Sequence, residues 1–224
     1  MNLARFHRLA CRAARMIAFS ACGLLVGACS VIPRGETLTM YRLPAAAQAT
    51  SPPAGAPLSV ALRIATPRAS AALDSTRIAV LPAGDEVAAY QGARWSDRAP
   101  VLLRNRLFDA FQASGAVAAL SLDENNLQAD LELGGTLRAF QSEYRDGRPV
   151  AVIRYDALLS SASAHQIIAA RRFDIAVPAT DTTVPRIVQA FGAAGDQLAA
   201  QVLPWVLENA PATPTRPPSS HEKD

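Results

Sequence analysis

The sequence predicts a single mixed α/β domain, a mostly antiparallel or mixed β-sheet flanked by two main helices. Three observations lead there. Strand-like stretches recur at 58–64, 131–137, 150–159 and 167–177, the first two with apolar residues at every second position. Two further stretches repeat apolar residues at helical spacing. The span 37–209 also suits one domain, since bodies of about 150 residues bury close to 70% of their unfolded surface.

In chain order, Thr37 to Leu43 ("TLTMYRL") reads as a first strand with apolar groups on both faces. "PAAAQATSPPAGAP", residues 44–57, has four prolines and no charge, so it reads as a loop inserted within the domain. Leu58, Val60, Leu62 and Ile64 alternate with smaller or polar residues, a strand with one buried face. Ile78 to Leu81 is a short buried strand ended by Pro82, and Gly84 with Asp85 turns into an extended segment at Val87 to Tyr90. A helix then starts at Ser96 or Asp97 as cap, with Pro100 in its first turn. Leu103, Leu107, Phe108 and Phe111 share its apolar face, and Gly115 stops it.

Leu131, Leu133 and Leu137 open the next strand, followed by Val150 to Leu159 and Ile167 to Val177. Asp146-Gly147 between the first two is a tight hairpin signal, so the three form an antiparallel meander. Gly134-Gly135 lies inside a strand, where a bulge or close backbone packing explains it. The last helix begins near Thr183 with Pro185 in its first turn. Val184, Ile187, Phe191, Ala194, Leu198, Val202 and Trp205 form its stripe, and Pro204 ends or kinks it. Residues 210–224 are rich in proline and serine and read as a disordered tail.

The N-terminus reads differently. Arg5, Arg8, Arg12 and Arg15 precede an uncharged apolar run from Met16 to Val26, and no acid occurs in the first 28 positions. A basic start, a short apolar middle and small residues describe a signal peptide, too short to span a membrane as about 20 apolar residues would. Val26-Gly27-Ala28-Cys29 follows the bacterial lipoprotein box, which makes Cys29 the lipid-attachment residue and 29–36 a tether. Phe19-Ser20-Ala21-Cys22 fits the box loosely but leaves too short an apolar run. One acyl chain binds a membrane marginally, whereas several hold a protein stably.

Removing residues 1–28 takes away four of the 22 basic residues and none of the 19 acidic ones. The apparent +3 becomes a slight negative balance, so no basic footprint for nucleic acid remains. Cys11 and Cys22 leave with the signal and Cys29 is taken by lipid, so the exported chain folds without a disulfide.

Chemistry is sparse. The body holds one histidine, His165, at a turn, and no set of Cys, His and carboxylates with metal-ligand spacing. No nucleophile elbow and no phosphate-cradling glycine loop occur. The carboxylate pairs Asp85-Glu86, Asp123-Glu124 and Asp130/Glu132 read as solvated. The expectation is a non-enzyme with no cofactor and no metal.

"YQGARWSDRAP", residues 90–100, stands out in a chain that is only 6% aromatic. Structurally, Trp95 would plug the core edge, Arg94 pair with a carboxylate and Asp97 cap the helix. Functionally, Tyr90, Arg94, Trp95 and Asp97 would form a protein interface, where such residues often anchor. The two readings are compatible.

Together, Cys29, Tyr41-Arg42-Leu43, the Tyr90-x-x-x-Arg94-Trp95-x-Asp97-x-x-Pro100 segment, Ala129-Asp130, "LRAF" at 137–140, "FDIAVPA" at 173–179 and the final helix with Trp205 resemble a known family. It is that of the ABC-type transport auxiliary lipoproteins, including the PqiC-like proteins, which accompany mammalian-cell-entry (MCE) domain proteins carrying lipids between the two membranes of Gram-negative bacteria. The Pro/Ala-rich connection after "YRLP" is longer than the family's, which bears on where the first strand lies. The resemblance implies a mixed sheet with flanking helices, no catalytic site, and a partner among MCE-domain proteins. It also implies an acylated Cys29 and, from Ser30 in the sorting position, an outer-membrane location facing the periplasm. Homo-oligomerisation stays open. The alternative is a stand-alone lipid carrier enclosing an acyl chain, and a periplasmic hydrolase is disfavoured by the missing nucleophile.

Overall fold

Alternation along Leu58–Ile64 becomes a strand because Val60, Leu62 and Ile64 can all be buried on one face while Ser59 stays in water. The same logic builds the rest of the sheet in a computed structural model that describes residues 37–45, 57–84, 86–125 and 127–211. Nine strands form: β1 (Thr39–Tyr41), β2 (Leu58–Ile64), β3 (Arg68–Ala69), β4 (Arg77–Leu81), β5 (Ala88–Trp95), β6 (Val117–Leu122), β7 (Leu131–Arg145), β8 (Arg148–Ser161) and β9 (Gln166–Pro178). Two α-helices accompany them, α1 (Ala99–Ser114) and α2 (Val184–Asn209). The mixed α/β class with two main helices is the one expected.

The fifteen-residue β7 organises the sheet. Along one side it pairs over its whole length with β8, which pairs in turn with β9, the expected antiparallel meander. Along its other side three short strands follow one another in parallel: β2 at Leu131–Leu133, β3 at Thr136–Leu137 and β4 at Gln141–Glu143. β5 and β1 extend the sheet beyond β4, and β6 extends it beyond β2. The β7–β8 turn has Asp146 at φ 51° and Gly147 at φ 73°, both left-handed, as a two-residue primed hairpin requires. Gly135 has φ +132°, and a Cβ there would lie 2.0 Å from the carbonyl oxygen of Asp156. Close backbone packing therefore explains the glycine pair.

One core lies under the two helices. Leu103, Leu107 and Phe111 of α1 and Ile187, Phe191, Leu198 and Val202 of α2 are buried, as their spacing predicted. Phe140 and Phe191 stack at 5.0 Å, Trp95 meets both edge-on at 5.7 and 5.3 Å, and Trp205 meets Phe173 edge-on at 5.6 Å. Such pairs stabilise beyond simple burial.

Several boundaries differ from expectation. The first strand is shorter, Thr39–Tyr41, because it pairs only with the end of β5. β5 runs to Trp95 instead of ending near Tyr90. Its pairing with β4 jumps from Ala79↔Ala89 to Arg77↔Arg94, and Gly92 at φ 65° absorbs the extra residues. The helix cap is Arg98, whose side chain makes no capping bond, while Asp97 Oδ1 accepts the Arg98 backbone N–H at 2.7 Å. α1 does carry Pro100 in its first turn and ends on Gly115 at φ 60°. α2 continues through Pro204 to Asn209, since burying Trp205 and Val206 outweighs one missing backbone hydrogen bond. β3 and β6 appear where no strand was expected.

Candidate functional site

The segment that stood out in the sequence is an edge of the sheet. Because β5 is a strand, alternate residues face opposite ways: Ala93 and Trp95 point into the core and Arg94 points out. Trp95 is 1% exposed, so it has no surface to offer a partner directly, and the interface expectation is corrected at this residue. Its role is the aromatic cluster with Phe140 and Phe191. Its indole Nε1–H is buried with no hydrogen-bond acceptor. Tyr90 is half-buried and donates its hydroxyl to Ser142 Oγ at 3.1 Å. Burial pushes the Tyr90 phenol up to about 12, against the opposing effect of that bond. Arg94 and Asp97 are exposed. Arg94 makes no ion pair among the described residues.

Register determines what surrounds Arg94. Met40 of β1 lies opposite it on one side and Arg77 of β4 on the other, so the three form a row across the sheet. Met40 is 64% exposed and Leu38, two residues upstream, is 44% exposed. Arg42, just past the end of β1, is exposed as well. Next to this row lies a surface groove of about 560 Å³, bordered by Tyr41, Leu43, Pro44, Pro185 and Val188.

Two buried arginines of α1 tie the fold together, Arg106 at this edge and Arg104 near the ends of β2 and β6, and sequence reasoning did not single them out. Arg106 of α1 donates to the carbonyl oxygens of Leu43 (3.4 Å) and Pro44 and pairs with Asp196 of α2. Gly192 makes room for the same segment, since a Cβ there would sit 2.8 Å from the Pro44 oxygen. Tyr41-Arg42-Leu43-Pro44 is thus fastened to both helices, and Tyr41 O accepts the Ser96 N–H at 2.7 Å. Arg104, 3% exposed, reaches Asp123 at 2.9 Å, Glu124 at 2.8 Å and Thr66 Oγ1 at 3.0 Å. The only signal available was two arginines set between the apolar Leu103 and Leu107 of the helix.

The carboxylates are spoken for by structure. Asp123 and Glu124 hold Arg104, Asp130 Oδ2 accepts the Ala61 N–H at 2.7 Å, and Glu132 pairs with Arg63 at 2.5 Å. His165 sits exposed at the β8–β9 turn with φ 53°. Among the described residues no three metal-ligating side chains gather, and no helix is long and apolar enough to cross a membrane. Cys29, the tether through Glu36, most of the Pro/Ala-rich insertion, Asp85 and nearly all of the tail lie outside the described residues.

Burial opposes ionisation of Asp123, but hydrogen bonds from Thr66 and Arg104 outweigh it and hold the carboxyl below its usual range. Arg172, with Arg138, does the same for Asp156. A folded pKa below the unfolded value of about 3.9 gives stability that is complete above that pH and lost as pH falls through the folded value. The melting temperature is therefore expected to be flat above about pH 5 and to fall below about pH 4. Asp123→Asn should start lower and show a shallower acid limb in a pH series of thermal melts. An unchanged acid limb in that variant would mean that Asp123 is not part of the linkage.

No curated protein matches the chain. Among solved structures, protein XCC0632 from Xanthomonas campestris, of the DUF330 family, is 31% identical over 76% of this chain and 95% of its own, with a TM-score of 0.71. An uncharacterised protein with 18% identity, covering 76% of this chain and 99% of its own at a TM-score of 0.59, shares the fold. The PelC dodecamer from Paraburkholderia phytofirmans is more remote, 14% identical over 72% of this chain and 95% of its own, with a TM-score of 0.43. The family model for the ABC-type transport auxiliary lipoprotein component matches residues 41–203, from the Tyr41 that bonds Ser96 to the helix turn holding Pro204. The chain belongs to the ABC-type transport auxiliary lipoprotein family.

Proposed function

We propose that the protein is a non-enzymatic outer-membrane lipoprotein facing the periplasm, anchored through Cys29, that serves an MCE-type system moving lipid or organic solvent between the two membranes. The observation that carries this reading is family membership over 41–203, on a chain whose N-terminus has a lipoprotein box at 26–29 and Ser30 in the sorting position. The physical requirement is plain. Apolar chains must be kept from water along the whole route, so a conduit reaching from the inner membrane needs a sealed connection at the outer one. An acylated body fixed to that membrane and docked to an MCE-domain protein supplies the connection without catalysing anything.

The structure suits a docking role in two ways. Asp123, Glu124, Arg104 and Arg106 are engaged in holding the fold. The groove beside Met40 lies open on the surface, where a partner's side chains can reach it. Affinity isolation of the lipidated protein from native membranes tests the proposal: an MCE-domain protein should come with it, and its absence would count against this reading.

A further inference from the structure

We propose that the outer face of β1–β5–β4, centred on the row Met40–Arg94–Arg77, lies against the anionic headgroup layer of the membrane to which the protein is tethered. Arg77 and Arg94 are direct cross-strand partners, both exposed. Like charges directly opposite one another on a sheet are destabilising. None of Arg42, Arg77 and Arg94 forms an ion pair among the described residues, although ten other ion pairs are formed on this body. A repelling pair left uncompensated by the chain itself matches an anion supplied from outside.

Met40, an exposed large apolar side chain, stands on this face, and the exposed Leu38 directly precedes β1. Apolar tips among arginines suit the bilayer boundary, where phosphates meet acyl chains. Chain length keeps the membrane within reach of this face and makes it the partner always at hand. Leu38 follows Cys29 by nine residues, which span about 30 Å even when fully extended. With Cys29 acylated, this edge is the part of the body that the tether enters, and it stays within about 30 Å of the headgroups. The inference rests on the reading of Cys29 as the anchor, and it turns Arg94 from a protein contact into a membrane contact.

Vesicle co-sedimentation tests it. The unit from Leu38 onward contains the whole core described above, so the protein can be prepared from residue 30 onward, free of lipid. It is expected to bind vesicles of phosphatidylethanolamine with phosphatidylglycerol, weakly and in a salt-dependent way, and not vesicles of phosphatidylethanolamine with phosphatidylcholine. The triple variant Arg42→Gln, Arg77→Gln, Arg94→Gln should bind the anionic vesicles about a hundredfold more weakly, at roughly a factor of five per arginine. Arg68→Gln, Arg148→Gln, Arg171→Gln removes the same charge elsewhere and should retain most binding. Wild-type binding by the first variant, equal loss by both, or indifference to phosphatidylglycerol would overturn the proposal. So would normal vesicle binding by the first variant together with loss of a co-isolated protein, which would make the row a protein contact. Because the protein tested carries no lipid, these outcomes are independent of whether Cys29 is acylated, which acyl labelling in cells decides separately.

Discussion

Trp95→Ala is expected to destabilise the protein by about 3–5 kcal/mol, a large share of the 5–15 kcal/mol typical of a domain. The side chain is 1% exposed and edge-on to both Phe140 and Phe191, so its removal opens a cavity between the sheet and α2. It also loosens β5 at the residue that faces Tyr41 of β1, so the edge carrying Met40 and Arg94 loses its footing. Trp95→Phe separates packing from polarity. It keeps an aromatic ring in the cluster and deletes an indole N–H that has no acceptor, so its cost should be below about 2 kcal/mol. Urea denaturation of the three proteins measures both values. A Trp95→Ala protein of near-native stability would mean that the tryptophan is not the keystone of this cluster.

Cys29→Ala should abolish lipidation, leaving the precursor unprocessed or the protein off its membrane. The motivation is the box at Val26 to Cys29 together with the lack of any membrane-crossing helix among the described residues. Diacylglyceryl transfer needs the cysteine sulfur, which alanine lacks. Palmitate labelling followed by membrane fractionation reads the result: no label, and precursor left unprocessed or protein released to the soluble fraction. Full labelling of Cys29→Ala would move the anchor to Cys22, and the reach of the tether would have to be recalculated.

Local chemistry explains which parts of the fold were legible. Asp146-Gly147 can take two left-handed conformations in succession, so the β7–β8 turn and its register were readable from two letters. The stripes at Leu103–Phe111 and Ile187–Trp205 fixed both helices, because a face of that width has to be buried. β6, "VAALSL", was not readable: it has one buried side chain, Ser121, and owes its existence to pairing with β2. The two-residue β3 likewise exists only through Thr136 and Leu137 of β7. Pro204 was misleading because local backbone chemistry was outweighed by distant burial.

The site was legible in its composition and not in its geometry. Tyr90, Arg94, Trp95 and Asp97 drew notice as residue types, but their division into core and surface depends on β5 running to Trp95. Gly92 breaks the alternation that would have revealed the strand. The Met40–Arg94–Arg77 row depends on pairing between segments far apart in the chain, and the Arg106 clamp joins positions 62 and 90 residues away. Nothing within a short window of sequence encodes either.

If this lipoprotein works as a fixed component of a transport assembly, its partners should come with it when it is isolated from native membranes. A C-terminal affinity tag on the chromosomal copy suits this purpose, because the tag follows the residues matched by the family and the core of α2. After gentle crosslinking and detergent extraction, the account predicts recovery of an MCE-domain protein with its ABC permease and ATPase, in amounts comparable to the tagged chain. Recovery of the lipoprotein alone, carrying stoichiometric bound phospholipid and no MCE-domain protein, would contradict it and leave a stand-alone carrier.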